Sequence, residues 1–259
     1  VLATAPPRAG SATAPPRAAT SAPAARTPAA APPPTAAPRP YIAGGLLLDG
    51  WGGLHDFGGG SIPTAGAAYW QGWDIARSVR LAPGGGGWVL DGYGGIHPFG
   101  GAPVVPTGNP YIAGNDWARA FEMTATGRGG WVMGGQGGIV AWGDANPVNI
   151  PHPTWTWDIA RDLVLHRTGP TTADGGWILD GWGAIHTFGN APALTTPNTL
   201  YITGDDYMRG LAVAPGDTGF YLLDAYGNVY AEGGAPNLVY GPTWTWEIAR
   251  SLVLQIGFR

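Results

Sequence analysis

The sequence predicts an all-β fold, a five-bladed β-propeller closed by its C-terminal strand and preceded by an extended Pro/Ala-rich N-terminal arm. Three observations carry the prediction. One phrase recurs five times at a near-constant step, the first copy lacks a strand that the last copy has to spare, and residues 1–40 differ in composition from residues 41–259.

The recurring phrase is LLLDGWGGLHDFG from Leu46, WVLDGYGGIHPFG from Trp88, WVMGGQGGIVAWG from Trp131, WILDGWGAIHTFG from Trp177 and YLLDAYGNVYAEG from Tyr221. Successive copies begin 42, 43, 46 and 44 residues apart. Each reads as a hairpin: an apolar strand, a Gly-rich turn of the DGxG kind, and a shorter strand ending on Gly. A second phrase follows each hairpin: DIARSVRL from Asp74, DWARAFEM from Asp116, DIARDLVL from Asp158, DYMRGLAV from Asp206 and EIARSLVL from Glu247. Its residues alternate, with Ile75, Arg77, Val79 and Leu81 on one face and Ala76 and Ser78 on the other. Large residues opposite small ones are what closely stacked sheets require. The short YIAG, YITG and TWTW segments are candidates for a fourth, outer strand.

Repeats of about 44 residues with three or four short strands are the signature of propeller blades. The first copy starts at its hairpin, and the chain ends on the strand after Glu247. Pairing the two completes the first blade and removes exposed edges. An open β-solenoid is the alternative. The phrases GGWVLDGYGGIHPFGGAP and WILDGWGAIHTFGNAP resemble the glycine/tryptophan repeats of bacterial secreted β-propeller proteins. In size and blade number, residues 41–259 are similar to five-bladed lectin-like propellers of the tachylectin kind, a likeness of architecture rather than of activity.

Residues 1–40 hold 11 Pro, 15 Ala, four Arg and no acid, with almost nothing to bury. Such a segment favours extended polyproline II. TAPPRA occurs at Thr4 and again at Thr13, and Arg8, Arg17 and Arg26 keep the same nine-residue step. Nine residues make about three polyproline turns, so these guanidinium groups line one edge roughly 28 Å apart. The arm carries +4, while the remaining nine Arg and 17 acids give the body −8. A basic ribbon beside an acidic body suits docking on a neighbouring copy and hence a homopolymer; a solvated stalk is the plain alternative. Thr4, Ser11, Thr13, Thr20, Ser21, Thr27 and Thr35 lie in a mucin-like setting suited to O-linked sugars.

The chain has no Cys, and all 13 of its basic residues are Arg. It has no run of apolar residues long enough to span a bilayer as a helix. Only 12% of residues are charged, and the sequence opens on Val1 rather than Met, which suggests either a processed exported product or a trimmed chain. An extracellular or cell-surface location is the expectation.

Five arginines, Arg77, Arg119, Arg161, Arg209 and Arg250, share one repeat position on an otherwise apolar face and need partners. Strict alternation points the acid three residues earlier to the opposite face, leaving it to tie down the preceding turn. The hairpin acids Asp49, Asp91, Asp180 and Asp224 are therefore the predicted structural ion-pair partners, with Gly134 in the third copy. Such pairs are preferred over a five-fold anion site at the axis. His55, His97 and His186 share another position, which packing explains better than metal ligation. Trp51, Tyr93, Trp182 and Tyr226 occupy the hairpin turns, with Gln136 in the third. Aromatic rings there could stack on sugars or cover neighbouring blades.

Glycosidase chemistry needs converging carboxylates, and the off-pattern Asp56, Asp144, Asp162, Asp174, Asp205 and Asp217 are scattered along the sequence. No nucleophile elbow, phosphate loop or metal-spaced cluster occurs, so neither an enzyme nor a cofactor or metal is expected. The acidic, Lys-free body is a poor partner for nucleic acid. The leading expectation is a structural subunit that assembles through its arm, and the rival is a secreted glycan-binding propeller.

Overall fold

The computed structural model describes residues 39–194, 200–238 and 241–258. The arm positions named above, Arg8, Arg17 and Arg26 with Thr4, Ser11, Thr13, Thr20, Ser21, Thr27 and Thr35, lie outside the described residues. The described residues contain fifteen strands and no helix, arranged as five three-stranded antiparallel sheets.

Blade 1 combines β15 (Ala249–Phe258), β1 (Pro40–Asp49) and β2 (Leu54–Gly58). Blade 2 is β3 (Ala76–Leu81), β4 (Gly87–Asp91) and β5 (Ile96–Phe99), and blade 3 is β6 (Ala118–Met123), β7 (Gly130–Gly134) and β8 (Ile139–Trp142). Blade 4 is β9 (Ala160–Arg167), β10 (Ala173–Asp180) and β11 (Ile185–Gly189), and blade 5 is β12 (Met208–Val213), β13 (Gly219–Asp224) and β14 (Val229–Gly233). The C-terminal strand pairs with the first hairpin as the repeat phase requires, with Leu46 opposite Val253 and Leu47 opposite Leu252. The inner strands β3, β6, β9, β12 and β15 each touch the next, and β15 touches β3, so the ring is complete. Among the described residues no fourth strand forms: TWTW at 154–157 and the second YIAG at 111–114 are turn and loop, and the first YIAG belongs to β1.

Alternation along the middle strands builds five hydrophobic seams, one between each pair of neighbouring blades. Leu46 and Leu48 of blade 1 face Ala76, Val79 and Val89 of blade 2, whereas Leu47 faces back to Tyr221 and Leu223 of blade 5. Trp88, Trp131, Trp177 and Tyr221 fill one repeat position in the other four blades and are essentially fully buried. Each donates to a carbonyl 15 residues on: Trp88 Nε1 to Pro103 O at 2.8 Å, Trp131 Nε1 to Asn146 O at 2.7 Å, Trp177 Nε1 to Pro192 O at 3.0 Å and Tyr221 Oη to Pro236 O at 2.5 Å. Burying such a ring stabilises the seam by about 2–3 kcal/mol, and the bond satisfies its one polar atom.

Blade 5 reverses one packing pair. Elsewhere a middle-strand glycine lies opposite a buried aromatic, as Gly45 opposite Phe57, Gly87 opposite Phe99, Gly130 opposite Trp142 and Gly176 opposite Phe188. In blade 5 Phe220 stands opposite Glu232, so the large ring moves to the other strand and packs edge-on against Trp177 at 5.9 Å.

Candidate functional site

Every inner strand carries the same irregularity. The register skips one residue between Ala76 and Ser78, Ala118 and Ala120, Asp162 and Ala160, Met208 and Gly210, and Ser251 and Ala249. The skipped residues are Arg77, Arg119, Arg161, Arg209 and Arg250. A bulge leaves its extra residue unpaired and re-aims the side chain, and here it turns each arginine towards the central axis.

This overturns the predicted pairing. Arg77 does not reach Asp49 or Asp91: its Nε and Nη2 donate to Asp116 of the next blade at 3.1 and 2.6 Å, and its Nη1 donates to its own Asp74 at 3.1 Å. Arg119 bridges Asp158 and Asp116, and Arg161 bridges Asp206 and Asp158, in the same forked geometry. Arg209 holds Asp206 at 2.9 Å and Glu247 at 3.4 Å, and Arg250 returns to Asp74. Strict alternation misplaced the acid three residues earlier because it ignored the bulge. Five arginines and five acids thus alternate in a ring at one end of the inner strands, and the arginines with Asp74, Asp158 and Asp206 line a cavity of about 180 Å³.

The ring has one weak link. In four blades the acid is Asp and its carboxylate lies against the glycine of a neighbouring turn, where a Cβ at Gly50, Gly92, Gly135 or Gly181 would fall within 2.2 Å of it. In the fifth, Ala225 replaces the glycine and Glu247 replaces the aspartate. The longer side chain turns aside to Tyr226 Oη at 3.2 Å. Burial would raise the carboxyls of Asp116, Asp158 and Asp206, but their paired arginines outweigh it and hold all three below the ordinary aspartate range. Beside Glu247 compensation falls short: burial, with Arg250 and Arg161 nearby, lowers the Arg209 guanidinium, whereas Asp206 and Asp158 overcome burial at Arg161 and raise it.

The hairpin acids do another job. Asp49 Oδ1 accepts the Trp51 and Gly53 amides at 2.9 and 2.8 Å, and its Oδ2 meets His55 Nε2 at 2.9 Å. Asp91 with His97 and Asp180 with His186 repeat this arrangement, and Asp224 bonds Asn228 and Tyr230 instead. Each turn also needs a left-handed glycine, Gly52 at φ 92° and Gly94 at φ 89° among them. Tryptophans from the preceding loops stand edge-on to the histidines: Trp244 on His55, Trp70 on His97 and Trp155 on His186, at 5.0–5.1 Å. The three histidines therefore sit on separate blades, each in its own Asp–His–Trp stack.

The turn aromatics Trp51, Tyr93, Trp182 and Tyr226 lie at the same end as the arginine ring, because each turn joins its strands beside the bulge. They do not stand alone. Tyr93 meets Trp73 and Tyr111 at 5.9 and 6.3 Å, and Trp182 meets Trp157 and Tyr201 at 6.4 Å. Trp73, Trp157 and Trp246 each immediately precede a ring acid. With Tyr111 they are 48–53% exposed, more than the turn residues themselves. The sequence offers Trp157 and Trp246 only as the ends of the TWTW segments, candidates for an outer strand, and does not single out Trp73.

Deeper in the channel a second network breaks the symmetry. Arg80 of β3 donates to Glu122 of β6 at 2.8 Å and crosses to Asp162 of β9, also at 2.8 Å. Arg167 donates to the other Glu122 oxygen at 2.6 Å. Asp162 also accepts the Leu163 and Leu211 amides at 2.8 and 2.9 Å, satisfying inner-strand edges of blades 4 and 5. The fold thus brings together Glu122 and Asp162, acids that are distant in sequence, but closes them off from solvent. Burial pushes the Asp162 carboxyl up despite these bonds, and it opposes charging Arg80, which Asp162 and Glu122 nevertheless hold firmly cationic.

No protein-family model matches the chain, and no curated protein matches its sequence. The likeness to glycine/tryptophan-repeat propellers stands at the level of the five-bladed all-β architecture. No helix among the described residues is long and apolar enough to cross a membrane.

Proposed function

We propose that this chain is an extracellular carbohydrate-binding propeller that presents the arginine-ring end to glycans. One observation carries the reading: Trp73, Tyr111, Trp157 and Trp246 remain about half exposed at that end, Trp73 and Tyr111 packed beside the turn aromatic Tyr93 and Trp157 beside Trp182. Exposed indole and phenol rings offer flat apolar faces to the C–H side of a sugar, while the ring acids beside them accept hydroxyl protons. Repetition around the axis makes the binding multivalent, so weak contacts at separate blades add through avidity. The full chain on a glycan array is expected to retain a defined glycan set, and Trp157→Ala and Trp182→Ala are each expected to weaken it about tenfold or more. An array that retains nothing overturns the reading.

Assembly through the arm is the second reading, supported by the opposition of a +4 arm to a −8 body. It predicts that the full chain sediments as a polymer that dissociates with added salt or on replacing Arg8, Arg17 and Arg26 with Ala. A monomer at every concentration rejects it.

A further inference from the structure

Four of the departures of blade 3 from the repeat line one pocket. Gly134 stands where the other blades have Asp, Gln136 where they have Trp or Tyr, Val140 where they have His or Tyr, and Trp117 where they have Ile or Tyr. Together with Ile139 and Asp158 they bound a pocket of about 460 Å³.

The pocket exists because an Asp–His–Trp stack is missing. In blades 1 and 2 a Cβ placed on Gly53 or Gly95 would fall 2.3 Å from the Asp carboxylate and 3.0 Å from His Nε2. At the equivalent Gly138 nothing lies within 4 Å. The capping tryptophan is also gone, since Ile112 takes its place in the loop. The changes are coupled: the Trp117 indole lies 3.2 Å from where a Gly134 Cβ would be, so an aspartate there would crowd this tryptophan. The indole is anchored by Nε1 donating to Tyr93 O at 3.2 Å.

We propose that this pocket is a single, dedicated monosaccharide site, with a pyranose ring lying against Trp117, Ile139 and Val140. Its hydroxyls donate to the Gln136 amide oxygen and to Asp158. A cationic ligand is disfavoured because Arg119 and Arg161 already compensate the Asp158 carboxylate. The mainly apolar walls with one amide and one neutralised carboxylate suit a neutral polyhydroxylated ring, an apolar face with a polar rim. The ligand class rests on the carbohydrate reading above, whereas the location rests on blade 3 alone.

The test is NMR titration of the full chain with glucose, galactose, mannose and N-acetylglucosamine, each to about 10 mM, following the Trp117 indole N–H and the Gln136 side-chain amide. At least one sugar is expected to shift both signals. Gly138→Leu fills the void in a turn that carries Ala184 and Asn228 at the same position in other blades, so the backbone tolerates a side chain there. It is expected to weaken that sugar at least about tenfold, and Gln136→Ala to weaken it less. Shifts confined to signals near Trp157 and Trp182, unaffected by Gly138→Leu, would overturn the blade 3 site and leave the wider carbohydrate reading standing. No shift at Trp117 or Gln136 with any of the four sugars overturns the site outright.

Discussion

At the axial mouth, five arginines displaced by bulges meet acids whose side chains stay 41–49% exposed. Deeper in the channel Arg80 meets Glu122 and Asp162 with all three out of solvent. The chemistry is the same and the consequences differ. Water screens the mouth pairs, so each contributes modestly and their effect lies in number and register. The buried trio is compensated only while complete, because removing one member strands a desolvated charge. Repetition therefore supplies a tolerant ring, and one departure from repetition supplies an intolerant plug.

The largest effect that tests this contrast is expected from the plug. Arg80→Ala leaves the buried Asp162 without a cation and Glu122 with Arg167 alone, and should lower unfolding free energy by about 3–5 kcal/mol. Arg161→Ala at the mouth should cost about 1 kcal/mol or less. Urea denaturation of both variants measures the difference, and equal losses would erase the distinction between the levels.

A smaller effect separates the two levels by pH. Asp116, Asp158 and Asp206 have lowered carboxyl pKa values in the folded state. Their stabilisation is present above the unfolded value near 3.9 and is lost as pH falls through the lower folded values. Asp162 has a raised value, so its ionisation costs stability as pH rises from the unfolded value through the folded one, and acidification relieves that cost. Melting temperature followed from pH 6 to pH 2 should fall less steeply for Asp158→Asn than for the parent chain and more steeply for Asp162→Asn. Parallel profiles would contradict the opposed signs.

The smallest effect concerns the weak link. Glu247→Asp alone should not improve the ring, because the Ala225 methyl occupies the space that a short carboxylate needs. Combined with Ala225→Gly it should restore the forked geometry, giving a favourable coupling of about 0.5–1 kcal/mol in a double-mutant cycle. Additive effects would mean that the two substitutions are independent.

Much of this fold was legible in the sequence because a repeated blade writes its plan five times. The copies starting at Leu46, Trp88, Trp131, Trp177 and Tyr221 marked the middle strands, and the unpaired phrase after Glu247 marked the closing strand. The partners of Arg77 and its equivalents were not legible. Alternation assumes an unbroken pleat, and a bulge leaves no signature in ARSVRL that separates it from a regular strand. The exposure of Trp73, Trp157 and Trp246 beside the ring acids was not legible either, since TWTW reads as well as an outer strand and the turn that it forms depends on tertiary packing. Blade 3 was half legible: Gly134 and Gln136 stood out as exceptions, but their link to Trp117 and Val140 required the packing.

The sequence by itself determined blade number, strand order and ring closure, because these follow from local pattern and from the phase of a repeat, both one-dimensional quantities. Only the tertiary structure decided which carboxylate meets which guanidinium and where a missing stack becomes a pocket. Those outcomes depend on side chains from different blades meeting in space, as Arg80 meets Asp162 across 82 residues of chain. Local pattern carries no information about such distances.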